Sequence, residues 1–192
     1  MTAFEYLSVA LSLVVGLSVT RLLGSGVHLF VDRERVRADW VSIAWAVLCF
    51  FWQLQFWWAI FELSSLPHWT FGGFLLLVLS PVLLFAASAL VLPHRAVELG
   101  VDLRAHFGSH GRWGVLFLMA YFLSAFALGP VLWGPAVFFA PDNAPLHALN
   151  LTTVALGIAT FAARGRRLQV WTTSLSIVIQ TFMYFVSVPW AY

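Results

Sequence analysis

Six apolar stretches, each about as long as a bilayer is thick, follow one another with little chain between them, at residues 4–30, 40–63, 69–92, 113–139, 146–163 and 168–190. A helix rises about 1.5 Å per residue and the hydrocarbon core measures about 30 Å, so about 20 apolar residues cross it and the fifth stretch is the tightest fit. The pattern predicts an all-α integral membrane fold, a single polytopic domain of six transmembrane helices over residues 1–192. Only 9% of the residues are charged and 61% are hydrophobic, where a soluble domain carries about a quarter charged. Six spans and their links use up this length, which leaves no room for a separate soluble catalytic or ligand-binding domain.

The arginines orient the fold. Arg33, Arg35 and Arg37 follow the first stretch, Arg95, Arg104 and Arg112 the third, and Arg164, Arg166 and Arg167 the fifth. The connections holding Pro67 and Asp142 carry none. Basic residues stay on the cytoplasmic side, so both termini are expected outside. The first stretch carries Glu5, lacks a basic leader and outruns a signal-peptide core, and is read as a retained helix. Cys49 has no second cysteine to pair with, and the absence of lysine argues against a retinal Schiff base. A net charge of +2 calls for no nucleic-acid partner. Membrane lipids, anionic ones included, are the expected contact.

In the first helix Ser8, Ser12, Gly16, Thr20, Gly24 and His28 recur every four residues. Such a small-residue stripe lets helix backbones approach closely in lipid. Ser12, Gly16, Thr20 and Gly24 are therefore expected to pack inside the bundle or across the interface of a homo-oligomer. Arg21 lies within the stretch, either as an anchor snorkelling to the inner interface or as a bundle-facing charge that meets a carboxylate or an anion. The second helix is rich in aromatics. Trp40, Trp57 and Trp58 suit the two interfaces, Trp45 and Trp52 suit the interior, and at least one of Gln53 and Gln55 should point inward, because an amide facing lipid is costly.

Pro81, beside Ser80, and Gly129-Pro130 predict kinks in the third and fourth helices. Between those helices, residues 94–107 place Ala96, Leu99, Leu103 and Phe107 on one face, which predicts a short cytoplasmic amphipathic helix ended by Gly108. Its polar face carries His94, Glu98, Asp102 and His106 four apart, a spacing open to a metal half-site but lacking a third ligand fixed by folding, so the reading is a solvated face and no metal. The connection 134–145, with three prolines, reads as an irregular outer cap. The fifth and sixth helices carry frequent hydroxyls and Gln180, which suggests that they face protein or water more than lipid.

No haem-type histidine pair, HExxH, GxGxxG or phosphate loop is present, so neither an enzyme nor a cofactor is expected. The run Phe4-Glu5-Tyr6-Leu7-Ser8-Val9, then Gly16-Leu17, Thr20-Arg21-Leu22-Leu23, Phe51-Trp52-Gln53, Trp57-Trp58 and Phe61-Glu62, resembles a family of small uncharacterised bacterial inner-membrane proteins. The resemblance covers about the first third. It implies a bacterial inner-membrane setting and a shared scaffold containing Glu5, Arg21, Gln53 and Glu62, with no activity to carry over. Two functions fit the residues. If Glu5, Arg21, Gln53, Glu62 and Gln180 share one interior face, they form a graded polar path or pocket for a small ion or solute, the channel- or transporter-like reading. Otherwise the chain is a non-conducting accessory or sensor module that binds a protein partner or lipids.

Overall fold

The computed structural model describes residues 3–65, 70–93 and 100–187, and they are almost entirely helical. Six long helices stand out: α1 (Ala3–Val31), α2 (Trp40–Ala59), α3 (Phe71–Val91), α4 (Leu103–Trp133), α5 (Ala144–Ala162) and α6 (Arg166–Ser187). Five of them, all but α6, are long and apolar enough to cross a membrane. The helices α1, α3, α4, α5 and α6 pack in that order, and α2 closes the arrangement by touching α1 and α3 on one side and α6 on the other.

The expectation of six apolar spans is therefore met only in part. Helix α6 has the length, but two arginines in its first turn and a run of threonines, serines and glutamines lower its mean hydropathy. Its polarity is also inverted relative to a helix of a soluble protein. Thr172, Thr173, Ser176 and Gln180 are buried, whereas Trp171, Leu175, Val178, Phe182 and Phe185 are exposed. A helix on a water-soluble core turns the apolar stripe inward.

The surface helix expected over residues 94–107 is replaced where the chain is described. Residues 94–99 lie outside the described residues. Gly100 takes a left-handed φ of 86°, where a Cβ would also meet Arg35 O at 3.2 Å. Val101–Asp102 then pairs in parallel with Val36–Arg37, and Asp102 caps the next helix by accepting from the N–H groups of Arg104 and Ala105 at 2.9 and 3.1 Å. From Leu103 the helix does not stop at Gly108 but runs through a π turn, Phe107–Gly111, into the apolar part of α4. A side-chain oxygen at Asp102 supplies the start that the apolar periodicity of 94–107 did not locate.

Helices α3 and α4 continue unbroken through Pro81 and Pro130. Ser80 bonds Leu76 O at 3.2 Å and lies 3.3 Å from Ser124 Oγ across the α3–α4 contact. The same contact admits no side chain at Gly114, where a Cβ would sit 2.7 Å from Ala87 O and 2.9 Å from Val91 N. The connection 134–145 is ordered rather than irregular. Pro135–Phe138 forms a helical turn and Pro141–Asn143 another, the rings of Phe126, Phe138 and Phe139 surround His147, and His147 Nε2 bonds Phe138 O at 2.8 Å. Proline at the first position of each turn starts a helix rather than breaking one.

The described parts of the three arginine-bearing connections gather at one end. The β pairing ties the first to the third, and Arg166 forms a two-pronged ion pair with Asp39, one arm at 3.2 Å, tying the first to the fifth. Asp39 is 6% exposed and also caps α2 by accepting from Ser42 N at 3.3 Å.

Candidate functional site

Two features of the bundle could carry function: a seam of buried polar side chains around α2, and an apolar groove beside it. The seam begins where α1, α2 and α3 meet. Gln53 is fully buried, and its Nε2 donates to Ser88 Oγ of α3. Ser88 donates to Leu84 O at 2.8 Å and lies 3.3 Å from Ser18 Oγ of α1. On the other side of α2, Trp45 Nε1 donates to Thr173 Oγ1 at 3.1 Å and Trp52 Nε1 to Gln180 Oε1 at 2.9 Å. The two indoles are seven residues apart, so they lie on one face, and Thr173 and Gln180 match that spacing on α6. Gln55 accepts from Tyr121 OH of α4 at 3.3 Å. Both glutamines of α2 are thus bonded across helices, as a bilayer interior would require.

Three atoms of the seam have no hydrogen-bond partner among the described residues: Gln53 Oε1, Ser176 Oγ and Gln180 Nε2. Ser176 and Gln180 are one turn apart on the buried face of α6.

Arg21 sits at the end of the bundle that holds the arginine connections. It donates to Ser25 Oγ one turn along, and its Nη2 reaches Ala89 O at 3.2 Å. His106 Nε2 lies 3.0 Å from Leu90 O. Both therefore meet the last turn of α3, whose carbonyls lack partners within the helix and form the negative end of its dipole. Arg21 has thus found a helix end rather than a carboxylate among the described residues. The remaining predicted residues scatter. Glu5 is exposed near the start of α1, and Glu62 lies in the 3-10 turn Ile60–Ser65 after α2, both at the end away from the arginines. Gln53 and Gln180 serve different helix pairs. Of the polar ladder, Asp102 and His106 are engaged as described above, and His94 and Glu98 lie outside the described residues.

The small-residue stripe faces away from the bundle. A Cβ added at Gly16 or Gly24 would meet nothing within 4 Å, and Thr20 is exposed, with Ser12 half-buried. The face of α1 that packs is a different row, Leu7, Leu11, Val15, Ser18, Leu22 and Ser25.

The groove was not foreseen from the sequence. It has a volume of about 630 Å³ and opens between α1 and α2 at the arginine end, walled by Leu22, Gly26 and Phe30 on one side and Ile43, Val47 and Phe50 on the other. No periodicity announces a groove, because it arises from how two apolar helices diverge. The Asp39 cap could have been found from the sequence, since an aspartate immediately before an apolar periodic run is a helix-start signal. No protein-family model, curated protein or solved structure matches this chain.

Proposed function

We propose that the chain is a non-conducting module of the bacterial inner membrane, a six-helix bundle whose outward faces bind lipids or a protein partner. The observation that carries this reading is the engagement of the mid-span amides. Gln53 and Gln180 are 0% and 1% exposed, and each is hydrogen-bonded to a neighbouring helix. Each spends one of its two amide atoms on an interhelical bond, and an atom consumed in holding helices together is not available to coordinate a passing solute.

The sixth span is part of the proposal, and the inverted polarity of α6 supports it: its outward face is apolar, its polar face is covered, and its modest mean hydropathy averages the two. The gathering of the arginine connections at one end supports an orientation with that end in the cytoplasm and both termini outside. The outward small-residue face of α1 supports contact with a second copy, in which Gly16 and Gly24 would allow close approach.

The polar-path reading draws on a different observation, the three unpartnered atoms of the seam. The two readings separate in one experiment. Purified protein in liposomes should pass no ion or small solute above empty controls, and single cysteines at positions 53 and 180, in a background with Cys49 replaced, should stay closed to water-soluble reagents. Protein-dependent flux that falls on Gln53→Leu or Gln180→Leu would replace the module with a path.

A further inference from the structure

The groove between α1 and α2 has the form of a site for one lipid tail. Apart from Arg33, all its lining residues are hydrocarbon or glycine. Its α1 wall runs from Leu22 to Phe30, which at about 1.5 Å per residue is ~12 Å. One leaflet's share of the hydrocarbon core is ~15 Å. The groove thus has the length of a single leaflet and lies in the half of the bundle that ends in arginines.

Arg33 stands at the interfacial end of this groove. Its guanidinium carbon is 5.3 Å from the centre of the Phe30 ring and its Nη1 donates to Phe30 O at 3.4 Å, which holds the side chain at the rim while leaving most of its five donors to meet a ligand. The rim itself is braced. Arg35 N bonds Asp32 O at 2.8 Å, Val101 N bonds Arg35 O at 3.2 Å, and the Val36–Arg37 pairing with Val101–Asp102 fixes the segment beneath. This brace carries the cations Arg33, Arg35 and Arg37 beside the anions Asp32, Glu34 and Asp102, and of these six only the cation Arg33 lines the groove. A guanidinium matches phosphate geometry with paired donors, and basic pockets beside transmembrane helices suit anionic headgroups.

We propose that this groove binds an anionic phospholipid of the arginine-side leaflet, with one acyl chain along Leu22–Phe30 and the phosphate at Arg33. The proposal rests on the module reading only in placing α1 and α2 within the bilayer. It makes no use of the seam, so a flux result bears on the module and leaves the groove untouched.

The test uses the full chain in mild detergent and follows the thermal midpoint while dioleoylphosphatidylglycerol, dioleoylphosphatidylcholine or glycerol phosphate is titrated. Phosphatidylglycerol should stabilise at lower concentration than phosphatidylcholine, and glycerol phosphate should do nothing. Arg33→Gln should weaken the phosphatidylglycerol response about fivefold, toward that of phosphatidylcholine, as expected for loss of one arginine near a headgroup. Gly26→Phe should abolish the response to both lipids. A Cβ at Gly26 meets nothing within 4 Å, so this plug has room, and Val47→Trp fills the groove from the opposite wall if the first variant folds poorly. Equal responses to the two lipids, or full phosphatidylglycerol binding in both plugged variants, would overturn the proposal. A change of oligomeric state in the plugged variants with no lipid response in the parent would assign the groove to a second copy instead.

Discussion

Helices α1 and α2 are both long and apolar enough to cross a membrane, yet the bundle uses them in opposite ways. Helix α2 is held on several sides: Trp45 and Trp52 bond α6, Gln53 bonds α3, Gln55 bonds α4, and Asp39 at its start is clamped by Arg166. Helix α1 packs along one row ending in Ser18, Leu22 and Ser25 and shows the rest of its surface outward. The difference lies in their polar residues. Burial of apolar area gives no preference between protein and lipid tails, so in a membrane the face that packs is chosen by van der Waals fit and by hydrogen bonds. Helix α2 has indoles and amides that must find partners, and α1 has chiefly two serines and Arg21 for that purpose.

The largest expected effect attacks the clamp on α2. Asp39→Ala removes the cap of that helix and strands the Arg166 guanidinium at a partly buried position. Breaking a buried pair costs about 3 to 5 kcal/mol and losing a cap about 1 kcal/mol. Because Arg166 keeps 23% of its side-chain surface exposed, the lower part of that range is expected. Chemical unfolding in detergent checks it, and a loss below about 1 kcal/mol would mean that α2 is held by its packing alone. Asp39→Asn, which keeps the cap and drops the charge, should cost distinctly less.

Next comes a backbone contact without a polar group. At Gly114 a Cβ would press against Ala87 O and Val91 N, backbone atoms that cannot rotate away, so Gly114→Ala forces α3 and α4 apart. Overpacking of this kind costs about 1 to 3 kcal/mol. A thermal midpoint unchanged from the parent would show that the two helices slide apart freely.

Much of this was legible in the sequence. Five of the six apolar runs became helices long and apolar enough to cross a membrane, the heptad spacing of Trp45 and Trp52 pointed to their burial, the cost of an amide facing lipid pointed to that of Gln53 or Gln55, and the alternation of the arginines pointed to the convergence of their connections. What escaped depended on shape and on partners. The run from Ala96 to Phe107 has helical spacing, but spacing does not reveal that Asp102 caps a new helix or that Val101 pairs with Val36. Helix α6 fell short on mean hydropathy because an average over a helix discards which face each residue occupies. Spacing within one helix did not disclose that Gln53 would bond α3 while Gln180 bonds α2 from the other side, since which helices become neighbours is set by packing.

A smaller effect tests the hydrogen bonds themselves. Gln180→Leu leaves Trp52 Nε1 buried without its acceptor. Stranding a buried donor costs about 1 to 3 kcal/mol, and interhelical bonds within membranes average about 0.6 kcal/mol, so about 1 kcal/mol is expected. Trp52→Phe should cost a comparable amount, and the double variant should cost less than the two together, because they share one bond. Full additivity, measured by unfolding of all three variants, would remove this bond from the account of why α2 is held so firmly.

The smallest effect on the folded chain is expected on the outer face of α1, and its smallness is informative. A Cβ added at Gly16 meets nothing within 4 Å, and replacing a helical glycine favours the helix by about 0.5 to 1 kcal/mol, so Gly16→Leu should leave the monomer unchanged or slightly more stable. If the stripe meets the same stripe of a second copy, the added side chain holds the two backbones apart and the dimer dissociates at lower detergent-to-protein ratios. The two quantities are separable: the thermal midpoint of the dissociated chain reports the fold, and the mass in detergent reports assembly. A lowered midpoint in the monomer would mean that α1 packs on another face than the row from Leu7 to Ser25. An unchanged mass across the whole titration would leave the stripe facing lipid, and the contrast between α1 and α2 would then be one between a helix bound by protein and a helix bound by solvent.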